Sequence, residues 1–470
     1  MRKANLKGQN DRLSFYNCLE TKQTPMLVKV FGLSIFIVLM FSIVSICHSQ
    51  NIYYVRADAA GNNDGSDWFN AFKKLPSTLE RGATYYIGDG KYSAYTFDDP
   101  VSGRLFITLK KATLNDHGTD TGWDPSYGDG VAEFANLTFL SDYYIIDGQR
   151  GGGPGQWETN FGFKVSGSGR LINISGRHDI QFFHIDMAGP GREVGDNNYD
   201  ILYGTNAPYN IIISYCYLHD IRRCQILTRS SNNILVEYSK IARNGPSNDG
   251  IHKEAWSATD DDNVVIRYCI FEDISNTAII ALINGSGVAE NWEIYGNVFI
   301  KTGNVDNVAT NGEFYLNYKG LTGSDIKFYN NTIINITGLA SGVRLRSGGN
   351  AKAYNNVWYG CGVNTIAFEN TTHDYNFYSD NFRYEGCDPP CLLKPVEDHI
   401  QYATGSPFVD WQNGNFHLKY ATSSGANLAS LYQIDPEGKI RGNDGNWDRG
   451  AYEFIVQDIQ APGNLRIIAE

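Results

Sequence analysis

The stretch NIIISYCYL at residues 210–218 decides the fold, because altered copies of it return along the middle of the chain. Each copy opens with Asn or Asp, carries apolar residues at alternate positions, and has a further apolar residue eight positions after the opening one. Such strict alternation over a short stretch is typical of a β-strand. The seven copies begin at Asp179, Asn210, Asn233, Asn263, Asn291, Asp325 and Asn350.

The spacing of the copies indicates a solenoid. Successive copies start 31, 23, 30, 28, 34 and 25 residues apart. An irregular period of this size is produced when each coil of a repeat contributes the same strands but loops of different length. We therefore predict an all-β fold, a single parallel β-helix, and a right-handed one because parallel crossovers are right-handed in nearly all proteins.

The sixth position after the opening residue becomes Asn toward the end of the repeats. In the last three copies it is Asn297, Asn331 and Asn356. Stacked Asn side chains satisfy the backbone of tight turns between parallel strands. We therefore predict an amide ladder inside these turns, preceded in the earlier copies by Ile185, Cys216, Ser239 and Cys269.

With these strands and this ladder, the chain resembles the superfamily of secreted right-handed parallel β-helix proteins that includes the pectate lyases and many other polysaccharide lyases and hydrolases. The resemblance covers roughly residues 51–454. The segments SPFVDWQNGNFHLK from Ser406, DPEGKIRG and DRGAYEF resemble the C-terminal closure of bacterial surface β-helix proteins. The resemblance implies a parallel β-helix whose partner is a polysaccharide.

The ends of the chain are predicted to differ from the repeats. The apolar run 30–47 and the small residues after it indicate a signal peptide at residues 1–49, with Met26 as an alternative start. We expect a secreted or cell-surface bacterial protein, which meets a membrane only if this 18-residue run stays uncleaved. The remaining regions are an N-terminal cap and first coils at 50–140, with a short helix at 68–79, repeats at 141–380, a closure at 381–456 and a linker to a further module at 457–470.

Composition restricts the class of function. The formal charge of −12 argues against a general nucleic-acid binder, which needs a basic surface. The content of 49 Gly, 30 Tyr and 24 Phe suits strands joined by tight turns. Each coil of a solenoid packs only on its neighbours, so 470 residues can form one long domain. We expect a monomer.

Six cysteines follow the signal segment. Cys387 and Cys391 in GCDPPC predict a loop disulfide, with a zinc site as the alternative that we favour less, because no second ligand pair accompanies them. The other four are expected to be buried as small apolar residues: Cys216, Cys224, Cys269 and Cys361.

A second strand is predicted between successive copies. We align these strands on their first buried residue, so that the side chains one and three positions later point outward. The anchors are Ile201, Ile226, Ile251, Ile279, Phe314, Val343 and Ile366. Two outward columns, which together extend over roughly 20 Å, then contain His252, Tyr315 and Arg344 in one and Arg229, Glu254, Asn317 and Arg346 in the other.

A groove with these side chains suits an acidic glycan. A lyase acting on a uronate needs a cation for the carboxylate, a base for the proton beside it and an acid for the leaving oxygen. We predict Arg229, Arg344 and Arg346 as cations, Asn317 as a further substrate-binding residue, His252 or Lys253 as base, Tyr315 or His252 as acid, and Glu254 beside His252 as a catalytic partner.

Lys253 and a run of aspartates leave questions open. The fragment DGIHK, residues 249–253, loosely resembles a Lys-bearing strand of one pectate-lyase group, and related lyases use Lys or Arg as base and Ca²⁺ as clamp. The alignment points Lys253 inward, but a surface lysine after a bulge is the simpler interpretation. No metal ligand is assigned: Ca²⁺ at residues 260–262 is a candidate cofactor, and a solvated turn is favoured.

We therefore favour an exported polysaccharide-active protein, a lyase on an acidic glycan. Glu254 with Glu313 or Glu369 would instead form the carboxylate pair of a glycoside hydrolase. The second alternative is a non-catalytic cell-surface or glycan-binding protein, which the apolar Ile280 and Leu282 in the middle of the groove favour.

Overall fold

The computed structural model describes residues 51–455, except for 247–250, 276–277, 284, 286–288, 306–312, 319–324, 337–342, 363–365 and 382–394. The predicted signal segment, the predicted linker and the pair Cys387 and Cys391 lie outside these residues. The described part is built from 34 strands and three short 3-10 turns, and contains no α-helix. No helix in it is long and apolar enough to cross a bilayer.

Thirty-two of the strands form three parallel sheets, and each complete coil contributes one strand to each sheet in turn. The first sheet consists of Ile52–Val55 (β1), Thr84–Ile87 (β2), Ile107–Lys111 (β5), Tyr144–Asp147 (β8), His178–Phe183 (β11), Tyr209–Ser214 (β14), Asn232–Glu237 (β17), Asp262–Arg267 (β20), Trp292–Tyr295 (β23), Ile326–Tyr329 (β26) and the ends of Val343–Tyr354 (β28) and Ile366–Asp374 (β30).

The second sheet has twelve strands. They are Gly90–Tyr92 (β3), Ala132–Phe134 (β6), Phe163–Ser166 (β9), Ile185–Ala188 (β12), Tyr217–Ile221 (β15), Lys240–Asn244 (β18), Ile270–Glu272 (β21), Val298–Ile300 (β24), Thr332–Ile334 (β27), Val357–Tyr359 (β29), Phe377–Ser379 (β31) and Gln401–Ala403 (β32).

The third sheet contains the strand that follows the second-sheet strand in each coil. It consists of Tyr95–Phe97 (β4), Leu137–Phe139 (β7), Ile172–Asn173 (β10), Leu202–Gly204 (β13), Ile226–Arg229 (β16), Trp256–Thr259 (β19), Ile280–Ile283 (β22), Glu313–Tyr318 (β25) and the beginnings of β28 and β30. The predicted parallel β-helix is thereby confirmed.

The seven repeat copies lie in the first sheet in the register that their sequences predict. The residue after each opening Asn or Asp points into the core and is at most 2% exposed. Taking each Ile or Val side chain of this column out of water contributes about 1.5–3 kcal/mol. This inward column runs Ile180, Ile211, Ile234, Val264, Trp292, Ile326 and Ala351.

The predicted amide ladder is present at the corner between the first and second sheets. Asn331 donates from its backbone N to Oδ1 of Asn356 at 2.9 Å and from Nδ2 to the Ile294 carbonyl at 2.9 Å, while its Oδ1 accepts from Asn297. The ladder extends one coil further than predicted, to Asn376. The residue before the ladder position has positive φ, for example 51° at Asn330, which explains the sharp turn.

The predicted cap helix at 68–79 is wrong. Trp68 and Leu79 are buried, as an amphipathic segment requires, but the backbone between them bonds to β1 instead of to itself. The N–H of Phe72 donates to the Tyr54 carbonyl and the N–H of Arg56 donates to the Phe72 carbonyl, both at 2.8 Å. The segment therefore covers the first coil as an irregular extended chain.

Residues 395–455 continue the last coil and then fold back along the outer face of the second sheet. A hairpin of Phe408–Asp410 (β33) and Asn415–Leu418 (β34) packs with the apolar outer residues of later coils, such as Val298 and Val357. The backbone N–H of Gly450 donates to the Asn355 carbonyl at 2.7 Å. The later part of this face is therefore closed.

The four cysteines in the described coils, Cys216, Cys224, Cys269 and Cys361, are buried free thiols, as predicted.

Candidate functional site

The register of the third sheet differs from the predicted alignment. The alignment is correct at two strands, displaced by one or two residues at four, and displaced by five at Ile251. Residues 251–255 are not a strand, because the coil enters the sheet only at Trp256, whose side chain is fully buried. The residues that pair in register are Leu202, Ile226, Trp256, Ile280, Phe314, Leu345 and Phe368.

This register separates residues that the sequence alignment places in one groove. His252 and Glu254 precede the sheet and do not share an outward column with Arg229. The outward positions beside Arg229 hold Leu227, Ser257 and Ala281, each less than 9% exposed. The predicted continuous polar groove is therefore wrong in the middle of the third sheet.

Farther along the third sheet, some of the predicted residues lie on neighbouring strands. The backbone positions of Tyr315 and Arg346 are paired, and Arg346 is paired in turn with Glu369. Arg344 lies two positions before Arg346 on the same strand, with Nη1 3.5 Å from Oε1 of Glu369. Asn317 lies in β25 beside a register shift.

The loop before β19 holds the predicted pair of His252 and Glu254. The imidazole is 78% exposed, whereas the carboxylate is 6% exposed, and Nδ1 lies 3.7 Å from Oε1. Glu254 is the largest cause that raises the pKa of His252 above its usual 6.5, and burial and the charges of Arg223 and Lys253 oppose it. The loop therefore presents a basic imidazole to solvent above a buried carboxylate.

Lys253 is fully buried, so the favoured interpretation of a surface lysine is wrong. Its Nζ donates to the Ile251 carbonyl at 3.1 Å, and its Cε lies against Gly245. The inward direction given by the alignment is the one observed, although residues 251–255 reach it without forming a strand.

Two further residues join this site that sequence reasoning missed. Asp200 and Cys224 occupy the positions on the two preceding coils that Glu254 occupies on its own, two residues before the sheet. Oδ1 of Asp200 accepts from the backbone N of Cys224 at 3.3 Å, and Sγ of Cys224 donates to Oε2 of Glu254 at 3.4 Å. The sequence signal that could have identified these residues is a polar or ionisable side chain two positions before the first buried residue of each third-sheet strand.

Three arginines act on the Asp200 carboxyl. Burial raises the pKa of Asp200 to about 6, and the charges of Arg223, Arg170 and Arg229 and the hydrogen bond from the Cys224 N–H oppose that rise. Arg223 Nη1 lies 3.4 Å from Oδ2 of Asp200, and Arg223 also acts on His252. Arg229 donates from Nη1 to the carbonyls of Thr228 and Ser257 at 2.7 and 3.1 Å. The loop before β19 and its two neighbouring coils thus bring together the buried carboxyls of Asp200 and Glu254 and the imidazole of His252. The Arg223 guanidinium acts on Asp200 and on His252.

The aspartate run at residues 260–262 holds the turns together. Asp261 is fully buried and accepts from the Ser231 N–H at 2.8 Å, and burial raises its pKa to about 6. Asp260 accepts from Gly285 N and Asp262 from Glu290 N. The favoured solvated turn is therefore wrong for Asp261, and no cluster of metal-binding side chains occurs in the described residues.

A second group of charged side chains lines the outer face of the second sheet. Lys91, Glu133, Lys164 and Asp186 are cross-strand neighbours on β3, β6, β9 and β12. Lys91 Nζ lies 3.5 Å from Glu133 Oε2, and Lys164 Nζ lies 3.5 Å from Asp186 Oδ2. These are long ion pairs near solvent.

Closer pairs follow on β15. His219 bonds through Nε2 to Asp186 Oδ1 and through Nδ1 to Asp220 Oδ2, both at 2.7 Å. Burial lowers the pKa of His219, but its hydrogen bonds to the carboxylates of Asp186 and Asp220 outweigh the effect of burial, and the pKa is raised. Arg243 donates to both oxygens of Asp220 at 2.8 Å.

Residues 148–162, which we call the strap, cross this outer face. The Gly151 carbonyl lies 2.6 Å from Nδ1 of His184, and Arg150 donates from Nη2 to the Asp129 carbonyl at 2.8 Å. The carboxylate of Glu158 forms an ion pair with Lys240. Gly152 has φ of 75° and lies so close to the Tyr215 carbonyl that a Cβ would meet it at 2.1 Å. Between the strap and the sheet lies a groove of about 640 Å³.

No protein-family model matches the chain, and no curated protein matches it. Solved structures with a similar fold include the pectate lyase Pel9A, with 15% identity over 86% of this chain and 97% of that one, at a TM-score of 0.46. The PL6 polysaccharide lyase Pedsa3628 from Pseudopedobacter saltans has 14% identity over 75% and 94% of the two chains, at a TM-score of 0.39. The PL6 alginate lyase AlyGC has 12% identity over 82% and 58%, at 0.35. The likeness is one of fold, the parallel β-helix.

Proposed function

We propose that the protein is an exported, polysaccharide-active enzyme, a lyase that cleaves an acidic glycan at the edge before β19. The observation that carries the proposal is the exposed His252 imidazole above the buried Glu254 carboxylate, with Arg223 acting on the same imidazole. A general base must reach its substrate from the surface and have a pKa suited to proton transfer near neutral pH. His252 is exposed, and Glu254 raises its pKa above the usual 6.5.

The reaction that suits this arrangement is a β-elimination with one proton carrier. Neutral His252 takes the proton from the carbon beside the uronate carboxylate. The electron pair of that C–H bond forms the new double bond while the bond to the glycosidic oxygen breaks, and the imidazolium returns its proton to that oxygen. Arg223 would stabilise the carboxylate as negative charge develops on it.

The other residues would have supporting roles. Glu254 orients His252 and raises its pKa, so it is a positioning residue. Arg229 is proposed to bind the glycan next to this edge, and the paired positions farther along the third sheet would bind more distant sugars. These are Tyr315, Arg344 and Arg346, and Asn317, at the register shift beside them, would do the same. Lys253 keeps a structural role beneath the loop, because its side chain is fully buried.

Two observations favour competing functions. The buried carboxyls of Asp200 and Glu254, one of them with a pKa raised to about 6, are the residue types of a glycoside hydrolase. The small and apolar outward residues Leu227 and Ala281 favour a glycan-binding protein without activity, because they interrupt the polar surface.

One experiment distinguishes the three functions. The protein is incubated with uronate-containing and neutral polysaccharides, and each mixture is assayed for ultraviolet absorbance of unsaturated ends, for new reducing ends and for binding. A lyase produces both kinds of end from a uronate polymer. Reducing ends without absorbance would establish a hydrolase, and binding without either would establish a non-catalytic protein.

A further inference from the structure

We propose that Arg170, stacked on Tyr203, forms a further subsite that binds a carboxylate of the same glycan, three coils before Glu254. The inference rests on the proposed function, because it extends the path of that substrate toward the early coils. The residues assigned to the glycan so far all lie in the coil of β16 or later, whereas Arg170 lies just before β10. It takes no part in the proposed reaction.

Arg170 lies on the same edge of the third sheet as the proposed reaction site. It lies two residues before the first residue of β10, and Asp200, Cys224 and Glu254 lie at the same position before β13, β16 and β19. These four strands pair successively in parallel. At the usual strand spacing, three steps separate Arg170 from Glu254 by about 14 Å along the solenoid. A short oligosaccharide can span that distance.

The guanidinium of Arg170 is oriented by an aromatic ring. It lies over the ring of Tyr203, with Cζ 3.4 Å from the ring centroid. Tyr203 is held in β13, where its backbone is paired with those of Asn173 and Leu227. An arginine that stacks through its planar face keeps the N–H groups at its edge for a carboxylate, which they can bind in bidentate fashion. The stack therefore orients the guanidinium before a ligand arrives, which reduces the entropy cost of binding.

The Arg170 side chain has no hydrogen bond or ion pair with any residue that the structure describes. The residue is half-buried, and its Nε is buried without a partner, whereas the terminal nitrogens remain accessible to solvent. The two other arginines near this edge are engaged: Arg223 pairs with Asp200, and Arg229 donates to two carbonyls. The terminal N–H groups of Arg170 are therefore left for a ligand.

No carboxylate in the described part of the chain neutralises Arg170 by direct contact. Asp200 is the carboxyl on which its charge acts, but Asp200 is fully buried, and its Oδ2 lies 3.4 Å from Nη1 of Arg223. Two exposed acids precede Asp200, and neither forms an ion pair with Arg170 among the described residues: Glu193 and Asp196. A uronate polymer carries a carboxylate on each sugar, so one chain can supply a partner to Arg170 while another of its sugars lies at the His252 loop.

The test measures calorimetric binding in a His252→Ala background, in which turnover does not consume the probe. The probes are hexagalacturonate, its methyl ester and a neutral cello-oligosaccharide. We expect the background protein to bind the acid more tightly than either neutral probe. Adding Arg170→Gln removes a charge-assisted hydrogen bond and should weaken binding of the acid at least about tenfold, with the methyl ester unaffected. Arg104→Gln removes the same charge at an exposed position between β4 and β5 and should change neither affinity.

Two substitutions of Tyr203 test the stack itself. Tyr203→Phe keeps the ring and should bind the acid as the background protein does, whereas Tyr203→Leu removes the ring and should weaken that binding. The thermal unfolding midpoint of each variant checks that the solenoid remains folded.

Four results would overturn the subsite: no binding of the acid by the background protein, unchanged affinity for the acid in Arg170→Gln, an equal loss in Arg104→Gln, or an equal loss for the acid and its methyl ester. Failure of the proposed function has a different signature. The wild type would then release no unsaturated ends from uronate polymers, while binding of the acid would still depend on Arg170.

Discussion

The thiol of Cys224 donates to the buried carboxylate of Glu254 at 3.4 Å, while the backbone of the same cysteine donates to Asp200 at 3.3 Å. One residue thus links carboxyls on the coils before and after it. Burial raises the pKa of the Cys224 thiol well above its usual value, so it stays protonated and can remain a donor. The support beneath His252 is therefore a chain of hydrogen bonds across three coils.

Replacing His252 by Ala should abolish elimination and leave the fold intact. General acid–base groups contribute about 10²- to 10⁴-fold to rate, and an exposed side chain contributes little to packing. Turnover on the active uronate polymer and the thermal unfolding midpoint are measured together. His399→Ala is the matched control, since His399 is 54% exposed and pairs with Asp374. Full turnover in the His252 variant would remove this residue from the site.

Replacing Glu254 by Gln should move the pH dependence of turnover. His252 acts as a base only when neutral, so the rate rises as pH passes upward through its pKa. Glu254 raises that pKa, and its loss lowers it, so the rising limb should shift to lower pH. The measurement is the pH profile of kcat/KM. Glu369→Gln, in the pair with Arg344, is the control, and an unmoved limb in the Glu254 variant would contradict the coupling.

Asp200→Asn should stabilise the protein increasingly as pH rises from 4 to 7. The folded-state pKa of Asp200 is about 6 against a usual 3.8, so the folded state binds a proton more tightly than the unfolded state. This contribution to stability is lost as pH rises between these values, and Asn does not titrate. The gap to the wild type should grow by roughly 2–3 kcal/mol. Urea unfolding across this range measures it, with Asp398→Asn as an exposed control.

A constant gap between Asp200→Asn and the wild type over that pH range would contradict a raised pKa at Asp200. A gap that shrinks with rising pH would reverse the sign and indicate a carboxylate stabilised by Arg223.

Asn331→Ala should destabilise the later coils strongly. The substitution removes the acceptor of the Asn297 N–H and the donor to the Ile294 carbonyl, both of which are buried. Each buried group left without a partner costs about 1–3 kcal/mol, so we expect a loss of roughly 3 kcal/mol. Urea unfolding provides the midpoint and the slope. Asn62→Ala, at an exposed position, is the control. An equal loss of unfolding free energy in both variants would show that the amide ladder does not stabilise the coils.

The sequence predicted the first sheet correctly because one physical requirement acts on every copy. The inward column from Ile180 to Ala351 must be apolar, and the turn before the second sheet must place its backbone groups on a stacked amide such as Asn331. Both requirements recur at fixed positions in each coil, and a local pattern therefore reveals them.

The third sheet was harder to predict because its coils enter through loops of different length. Residues 251–259 read IHKEAWSAT and offer two alternating runs, one beginning at Ile251 and one at Trp256. Only contact with the neighbouring coil selects the second. The cap segment failed for a related reason: the periodicity of Trp68 and Leu79 reports which residues are buried, but not that the Phe72 backbone bonds to β1.

The charged groove could not be read from the sequence at all. Lys91, Glu133 and Lys164 are single polar residues separated by long loops, and no spacing connects them. They become neighbours only through pairing in the second sheet.

The corner that carries the amide ladder has a consequence for how this chain can vary. From β11 onward this corner has one or two residues between strands. The corner before the third sheet varies in length, from the short segment 222–225 to the long segment 189–201. Insertions at the first corner would interrupt stacking, and insertions at the second would not. The candidate site follows this division, because the His252 loop occupies the permissive corner. New specificity could therefore be engineered by exchanging loops at the permissive corner while the stacked edge is left untouched.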